Sequence, residues 1–139
     1  MEFLLYLSPS GNQIYQTLKN KINFAENAPI CRKHDIYGWY NSKTKTITFC
    51  TDTIKKGDNV SYFINETLYH ESVHVAQSCR SNTLVPLGLS SINLSSTKQS
   101  HLKKSVSMSG SSVYKIEKEA FYLEDKPEKI RHYLKKFCF

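Results

Sequence analysis

The feature that most constrains this chain is an uninterrupted stretch from Val60 to Arg80 that contains neither glycine nor proline. Gly57-Asp58-Asn59, directly before it, supplies a chain stop followed by a helix cap. The apolar residues of the stretch recur at the spacing of one broad helical face: Phe63, Ile64, Leu68, Val75, Ala76 and Cys79. The sequence therefore predicts one long helix in a chain of 139 residues, which is the length of a single domain.

This helix carries two histidines four positions apart, with a glutamate directly after the first, in the motif His70-Glu71-Ser72-Val73-His74. Residues i and i+4 lie on one helical face, so both imidazoles can present a nitrogen to one tetrahedral Zn²⁺ ion. Glu71 would lie beside that ion without ligating it, where it can accept a proton from an activated water and pass it to a leaving amine. Apolar residues on the neighbouring faces favour this interpretation over a solvated polar helix, because buried imidazoles beside a buried carboxylate are costly without a partner.

With this motif the sequence resembles the zincin metallopeptidases over about Tyr37 to Asp125. The resemblance implies an α+β fold, in which a small antiparallel sheet with an edge strand packs on the H-E-x-x-H helix beside further helices. In zincins an extended substrate adds to that edge strand. Residues 35–50, "DIYGWYNSKTKTITFC", predict a β-hairpin, and its second strand, "KTITFC", precedes the helix by a short linker, as the resemblance requires.

A catalytic zinc ion needs a third protein ligand. The metzincin pattern would place glycine at position 77 and histidine at position 80, and this chain has Gln77 and Arg80 instead, which excludes that subclass. No aspartate or glutamate occurs between positions 72 and 116, so a downstream carboxylate ligand must come from Glu117 onwards. The chain is similar here to gluzincins, in which a second helix supplies a glutamate with a small residue three positions later. That resemblance selects Glu117, followed by Ala120.

Three alternatives to Glu117 stay open at this point. Glu119 and Glu124 lie on the same predicted helix, and Glu117 is preferred because its neighbours are apolar whereas Glu119 lies nearer Lys115. All three glutamates could instead be solvated. His101, downstream in a region rich in serine and lysine, could ligate as in zincins with three histidines, and it ranks below Glu117.

The remaining elements follow from periodicity and turn signals. Helices are predicted from about Asn12 to Lys21, from Ser112 to a stop at Pro127, and from Pro127 onwards, whereas "MEFLLYLSPS" at the start predicts a buried strand. Residues 82–112 contain proline, glycines and many serines, and they predict a long mobile loop. Such a loop would cover the cleft, serve as a site of self-cleavage, or be a disordered insertion.

Charge and cysteine usage bear on partners and location. The net charge of +7 favours acidic neighbours, but no nucleic-acid-binding motif accompanies it, so nucleic acid is not the expected partner. The absence of a signal peptide or an apolar stretch long enough for a membrane predicts a cytoplasmic protein and leaves non-classical secretion open. Four cysteines without a C-x-x-C pair predict free thiols, although Cys31 and Cys50 flank the hairpin and could pair in an oxidising setting.

Together these observations predict one zincin-like domain over residues 1–139 that acts as a zinc metalloendopeptidase on a protein or peptide substrate. His70, His74 and Glu117 would bind Zn²⁺, and Glu71 would be the general base. The alternatives are a non-catalytic zinc-binding module, against which the presence of Glu71 counts, and a basic nucleic-acid-associated protein with a coincidental motif. Candidate donors to the oxyanion are all of equal rank in the sequence: Tyr114, Tyr122, Tyr133 and His132.

Overall fold

The sheet consists of three short strands, β1 (Asn23–Glu26), β2 (Gly38–Asn41) and β3 (Thr46–Phe49), in the order β1-β3-β2. In this computed structural model, which describes residues 1–139, β3 is central, pairing parallel with β1 and antiparallel with β2. The sheet is therefore mixed rather than antiparallel, and the edge strand that faces the motif helix is β2, not the "KTITFC" strand. The expectation was wrong because β1 is formed by long-range pairing in a segment that reads as a loop.

Seven helices surround the sheet, which makes the fold α+β. They are α1 (Pro9–Leu18), α2 (Ile30–Lys33), α3 (Thr51–Ile54), α4 (Val60–Ser78), α5 (Ser96–Ser109), α6 (Tyr114–Leu123) and α7 (Pro127–Phe137), with 3₁₀ turns at Glu2–Tyr6 and Ser111–Val113. The long helix predicted from Val60 is confirmed as α4, and the last two predicted helices are confirmed as α6 and α7. None of the helices combines the length and the apolar character needed to cross a bilayer.

Helix α4 lies at the centre of the molecule and contacts α1, α3, α6, α7 and both strands of the hairpin. It contributes Ile64, Leu68, Val73, Val75 and Ala76 to the single hydrophobic core. Because neighbours cover it on several sides, its polar residues are buried as well and need partners within the protein. Asn65 is one example: its amide donates to the carbonyl oxygens of Tyr6 and Ser61, and its oxygen accepts from the backbone of Ser8.

Two predicted segments differ in the structure. The first residues form a 3₁₀ turn instead of a strand, because the N–H groups of Glu2 and Phe3 donate to the Glu26 carboxylate at 2.8 and 3.0 Å rather than to a neighbouring strand. Within residues 82–112, positions 96–109 form α5, which packs on α6 and begins with Ser95 accepting from the Lys98 N–H. The loop prediction holds only for the part before α5, since serine-rich helices lack a strong apolar pattern.

All four cysteines form disulfides, Cys31–Cys50 and Cys79–Cys138, so the expectation of free thiols was wrong. The Cys31–Cys50 bridge is the pairing that stayed possible because these two cysteines flank the hairpin. The Cys79–Cys138 bridge joins the ends of α4 and α7 across 59 residues of sequence. That distance along the chain hides the pair from sequence reasoning, because only the packing of α7 on α4 brings the two thiols together. Paired cysteines are typical of proteins in an oxidising environment, so they do not favour the cytoplasmic location.

The contact between β2 and α4 depends on Gly38. A Cβ atom there would lie 2.3 Å from Thr67 Cγ2 and 3.0 Å from the Thr48 carbonyl oxygen. We expect Gly38→Ala to lower the free energy of unfolding by about 1–3 kcal/mol, because the strand must move away from the helix. Urea denaturation would measure it.

The control is Gly57→Ala, where a Cβ atom would meet only the Ile54 carbonyl oxygen, at 3.7 Å. This variant should be as stable as the wild type. Equal stability of the two alanine variants would contradict the close packing of β2 on α4.

Candidate metal centre

His70 and His74 project from α4 towards α6, where Glu117 faces both. The Glu117 Oε1 atom lies 2.5 Å from His74 Nε2 and 3.6 Å from His70 Nε2. One ligand atom from each of the three residues lies within 4.8 Å of the others, so this group could hold a metal ion. The structure thus brings together the three residues that the sequence analysis selected.

Helix α6 approaches α4 closely beside this group. Ala120, three residues after Glu117, is fully buried in the core, and its single methyl group leaves little to separate the helices. On the other side, Ser105 of α5 donates a hydrogen bond to Glu117 Oε2. The carboxylate is therefore held by two helices, and the serine contact lies in a segment that the sequence analysis treated as a loop.

The Nδ1 atom of each histidine, on the opposite side of the ring from the Nε2 atom that faces Glu117, also has a partner. His74 Nδ1 lies 2.7 Å from Gln77 Oε1, and His70 Nδ1 lies 2.9 Å from Glu124 Oε1. Gln77 donates its own amide to Glu119, at 2.9 Å, and to the Ile116 carbonyl oxygen. Since its amide nitrogen is used in this way, its oxygen faces the ring and accepts from Nδ1–H, which leaves His74 Nε2 free to ligate.

Neither Glu119 nor Glu124 belongs to the group that could hold a metal ion. Glu119 is buried and accepts from the backbone N–H groups of Leu87, Gly88 and Leu89 at 2.8–3.1 Å. It therefore fastens the segment before α5 to α6. Glu124 orients His70 and lies 4.0 Å from Lys98 Nζ. Sequence reasoning missed these roles, and the spacing of Gln77 three residues after His74 was the only local signal for one of them.

The other candidates lie elsewhere. His101 belongs to α5 and lines the cleft beside Phe121, with ring centroids 6.0 Å apart, but it is not part of the metal-holding group. None of the residues named as candidate oxyanion donors lines the cleft: Tyr114, Tyr122, Tyr133 and His132. The reason is the orientation of α6 and α7, which a single helical period does not reveal. The cleft is lined instead by two other tyrosines, Tyr37 and Tyr40, and by two further histidines, His34 and His101.

The centre opens into a cleft of about 700 Å³. One side is formed by β2 and the residues before it, the other by α5 and α6, and α4 lies between them with Phe63, Glu66, Thr67, His70, Glu71 and His74. The Cys50 N–H donates to the Tyr37 carbonyl oxygen, at 2.8 Å. Because bonding alternates along an antiparallel strand, the backbone groups of Gly38 and Tyr40 point away from β3. The edge of β2 beside the motif helix thus has no strand partner, and of its outward backbone groups the Tyr40 N–H donates to Glu71.

Burial and neighbouring charges act in opposite directions on the pKa values of His70, Glu71, His74 and Glu117. Burial opposes the charged form of Glu117, but His74 and His70 outweigh it and lower the pKa of this carboxyl well below its usual range. Burial likewise opposes charge on the two imidazoles, and the carboxylates of Glu117 and its neighbours nevertheless raise the pKa of His70 and of His74. Burial raises the pKa of Glu71, which the two histidines and a backbone hydrogen bond with Tyr40 partly offset. Glu71 is therefore a stronger base than an exposed glutamate.

Comparison with known proteins identifies the family. The family model described as Domain of unknown function (DUF8637) matches residues 3–139, and the chain belongs to that family. No curated protein and no solved structure matches the chain.

The contacts of Glu119 predict a structural role that can be tested. Glu119→Gln replaces one of the two carboxylate oxygens with an NH2 group that cannot accept, so two of the four N–H donors from residues 87–89 and Gln77 lose their acceptor. We expect the free energy of unfolding to fall by about 1–3 kcal/mol, measured by urea denaturation.

Glu66→Gln is the matched control, since Glu66 also lines the cleft but accepts only from the Tyr62 hydroxyl. It should cost well under 1 kcal/mol, which is about the effect of a surface substitution. A Glu119→Gln protein as stable as this control would show that the segment before α5 does not depend on the carboxylate.

Proposed function

We propose that this member of the DUF8637 family is a zinc-dependent metallopeptidase with a zincin-like arrangement, in which His70, His74 and Glu117 hold zinc and Glu71 is the general base. One observation carries the proposal. Two imidazole nitrogens and a carboxylate oxygen converge within 4.8 Å in an open cleft that also contains the buried carboxylate of Glu71 and the edge of β2.

The donor set favours zinc over the common hard cations. Calcium and magnesium prefer ligand sets made of oxygen, whereas a pair of imidazoles with one carboxylate suits zinc and its transition-metal neighbours. Catalytic zinc sites have three protein ligands and keep one position open, and here the cleft leaves one side of the group accessible. Gln77 and Glu124 orient the two rings by their Nδ1 atoms, as the partners of metal-binding histidines usually do.

Bound zinc would supply Lewis acidity and lower the pKa of a water molecule towards neutrality. Glu71 accepts the proton of the attacking water, because its carboxylate follows His70 directly on α4 and its pKa is raised by burial. The water oxygen bonds to the carbonyl carbon of the peptide, the C–N bond breaks, and Glu71 returns the proton to the departing amine. The products are a carboxylic acid and an amine.

An extended peptide is the substrate that fits this cleft best. The backbone groups of Gly38 and the Tyr40 carbonyl point away from β3, and a substrate strand can pair with them along the edge of β2, whereas the Tyr40 N–H is held by Glu71. Tyr37 and Trp39 flank that edge with 37% and 39% of their surface exposed. These rings offer apolar contacts to side chains of the substrate, so we expect a protein or peptide rather than a small polar molecule.

Metal content tests the first part of the proposal. The purified protein should contain about one zinc ion per chain. Zinc should be lost from His70→Ala, His74→Ala and Glu117→Gln, and it should be retained by Glu66→Gln, which carries the same chemical change elsewhere in the cleft. Elemental analysis measures this.

Zinc affinity should weaken as the pH falls. The carboxylates beside His70 and His74 raise their pKa values, so protons compete with the metal for the ring nitrogens below those values. Calorimetry in buffers of different ionisation enthalpy should show proton release on binding. Absence of zinc at neutral pH, or zinc that survives all three ligand substitutions, would overturn the assignment.

The role of Glu71 separates a peptidase from a zinc-binding module. Glu71→Gln should keep the zinc content of the wild type, and its rate of hydrolysis of a denatured protein substrate should fall by at least about 10²-fold, because the general base is lost. Glu66→Gln, a substitution of the same kind in the same cleft, is the control and should keep most of the activity. If wild type and Glu71→Gln both bind zinc and neither hydrolyses peptide bonds, the chain is a binding module.

A further inference from the structure

Helix α7 presents an exposed face that is strongly basic. Lys129, Lys135 and Lys136 are exposed on it. Its one acidic residue, Glu128, lies 3.5 Å from Arg131 of the same helix. No aspartate or glutamate follows Glu128 in the sequence, so the rest of the helix carries only positive or neutral side chains.

Two further cations join this face from distant parts of the chain. Lys21, after α1, lies over the ring of Phe139, with its Nζ atom 4.6 Å from the ring centroid. Arg80, after α4, lies over Phe137 at 4.3 Å, and Lys136 lies 5.4 Å from the same ring. The Cys79–Cys138 disulfide joins the two chain segments beside these contacts. We call Lys21, Arg80, Lys129, Lys135 and Lys136 the basic face.

The charge of the basic face is not neutralised within the protein. None of its five members has a carboxylate within 4.0 Å, whereas Lys55, Lys98 and Lys126 each form an ion pair. Concentrated like charge opposes folding, so a protein that gathers it without counterions gives up stability unless a partner supplies them. The face is also separate from the candidate metal centre, because no residue of α7 lines the cleft.

The surroundings of these cations narrow the class of anionic partner. The aromatic rings of Phe137 and Tyr133 stack on each other and Phe137 is covered by cations, so they offer no free platform for nucleic-acid bases. Phe139 is the exposed large apolar side chain of this face, which is little for insertion into a membrane. Two disulfides are typical of proteins in oxidising compartments outside the cytosol, and a sulfated polysaccharide is a linear polyanion that can be met there.

We propose that the basic face binds a sulfated polysaccharide. Lys129 and Lys136 are two helical turns apart, about 10 Å along α7, so they can contact successive charged groups of an extended chain. Lys21, Arg80 and Lys135 add charge beside that line. The inference is independent of the proposed zinc chemistry, since it uses a different surface, and binding there would leave the cleft free.

Heparin is the probe for the test. We compare the wild type with the variant Lys129→Glu/Lys135→Glu/Lys136→Glu and with a matched control, Lys43→Glu/Lys56→Glu/Lys103→Glu. The three control lysines are also exposed, form no ion pair, and lie on three separate parts of the surface. Both variants therefore carry the same change in net charge.

At 0.15 M salt the α7 variant should bind heparin at least about tenfold more weakly than the control variant, with a shallower dependence of affinity on salt, because fewer counterions are released. Surface plasmon resonance and elution from a heparin column measure this, and circular dichroism checks folding. If the glutamate variant fails to fold, the same three lysines are replaced by glutamine.

Three results would overturn the proposal. The first is an equal loss of affinity in both variants, which would mean that overall charge alone attracts heparin. The second is no binding of heparin by the wild type at 0.15 M salt. The third is tighter binding to duplex DNA or to vesicles of anionic lipid than to heparin, again dependent on the α7 lysines.

Discussion

The packing of α6 against the buried helix α4 is the constraint on which the candidate metal centre depends. It places a carboxylate from one helix against two imidazoles of the other, with Glu117 Oε1 between His70 Nε2 and His74 Nε2. The contact is close because Ala120 is small and fully buried. It also brings Glu119 and Glu124 to α4, so one interface supplies the third candidate ligand and the groups that orient the first two.

Burial makes this arrangement demanding, because every polar group between the helices needs a partner. Gln77 meets that need for several groups at once: it accepts from His74 and donates to Glu119 and to the Ile116 carbonyl oxygen. Glu119 in turn satisfies three backbone N–H groups of the segment before α5. The candidate ligands are thereby connected to the segment that leads into the wall of the cleft, which gives the site a rigid support.

Whether an element of this fold can be predicted from the sequence depends on whether local or long-range contacts stabilise it. Helices α4, α6 and α7 were predictable because their apolar spacing and their glycine and proline boundaries are local signals. Strand β1, the 3₁₀ turn at the start and α5 were missed, since each is stabilised by partners elsewhere: Thr46–Phe49, Glu26 and α6 respectively. The Cys79–Cys138 pair was hidden for the same reason.

That His70 and His74 share one helical face beside Glu71 follows from their order in the sequence, because residues four positions apart lie on one face of an α-helix. By excluding acids from positions 73–116 the sequence also limited the downstream carboxylates to those from Glu117 onwards. The choice among Glu117, Glu119 and Glu124 depends on tertiary packing, since the rotation of α6 against α4 sets which carboxylate faces the Nε2 atoms of both histidines. The tertiary structure likewise decided that β2 is the open edge and that distant cations meet around the end of α7, because both result from chain segments packed far from their sequence neighbours.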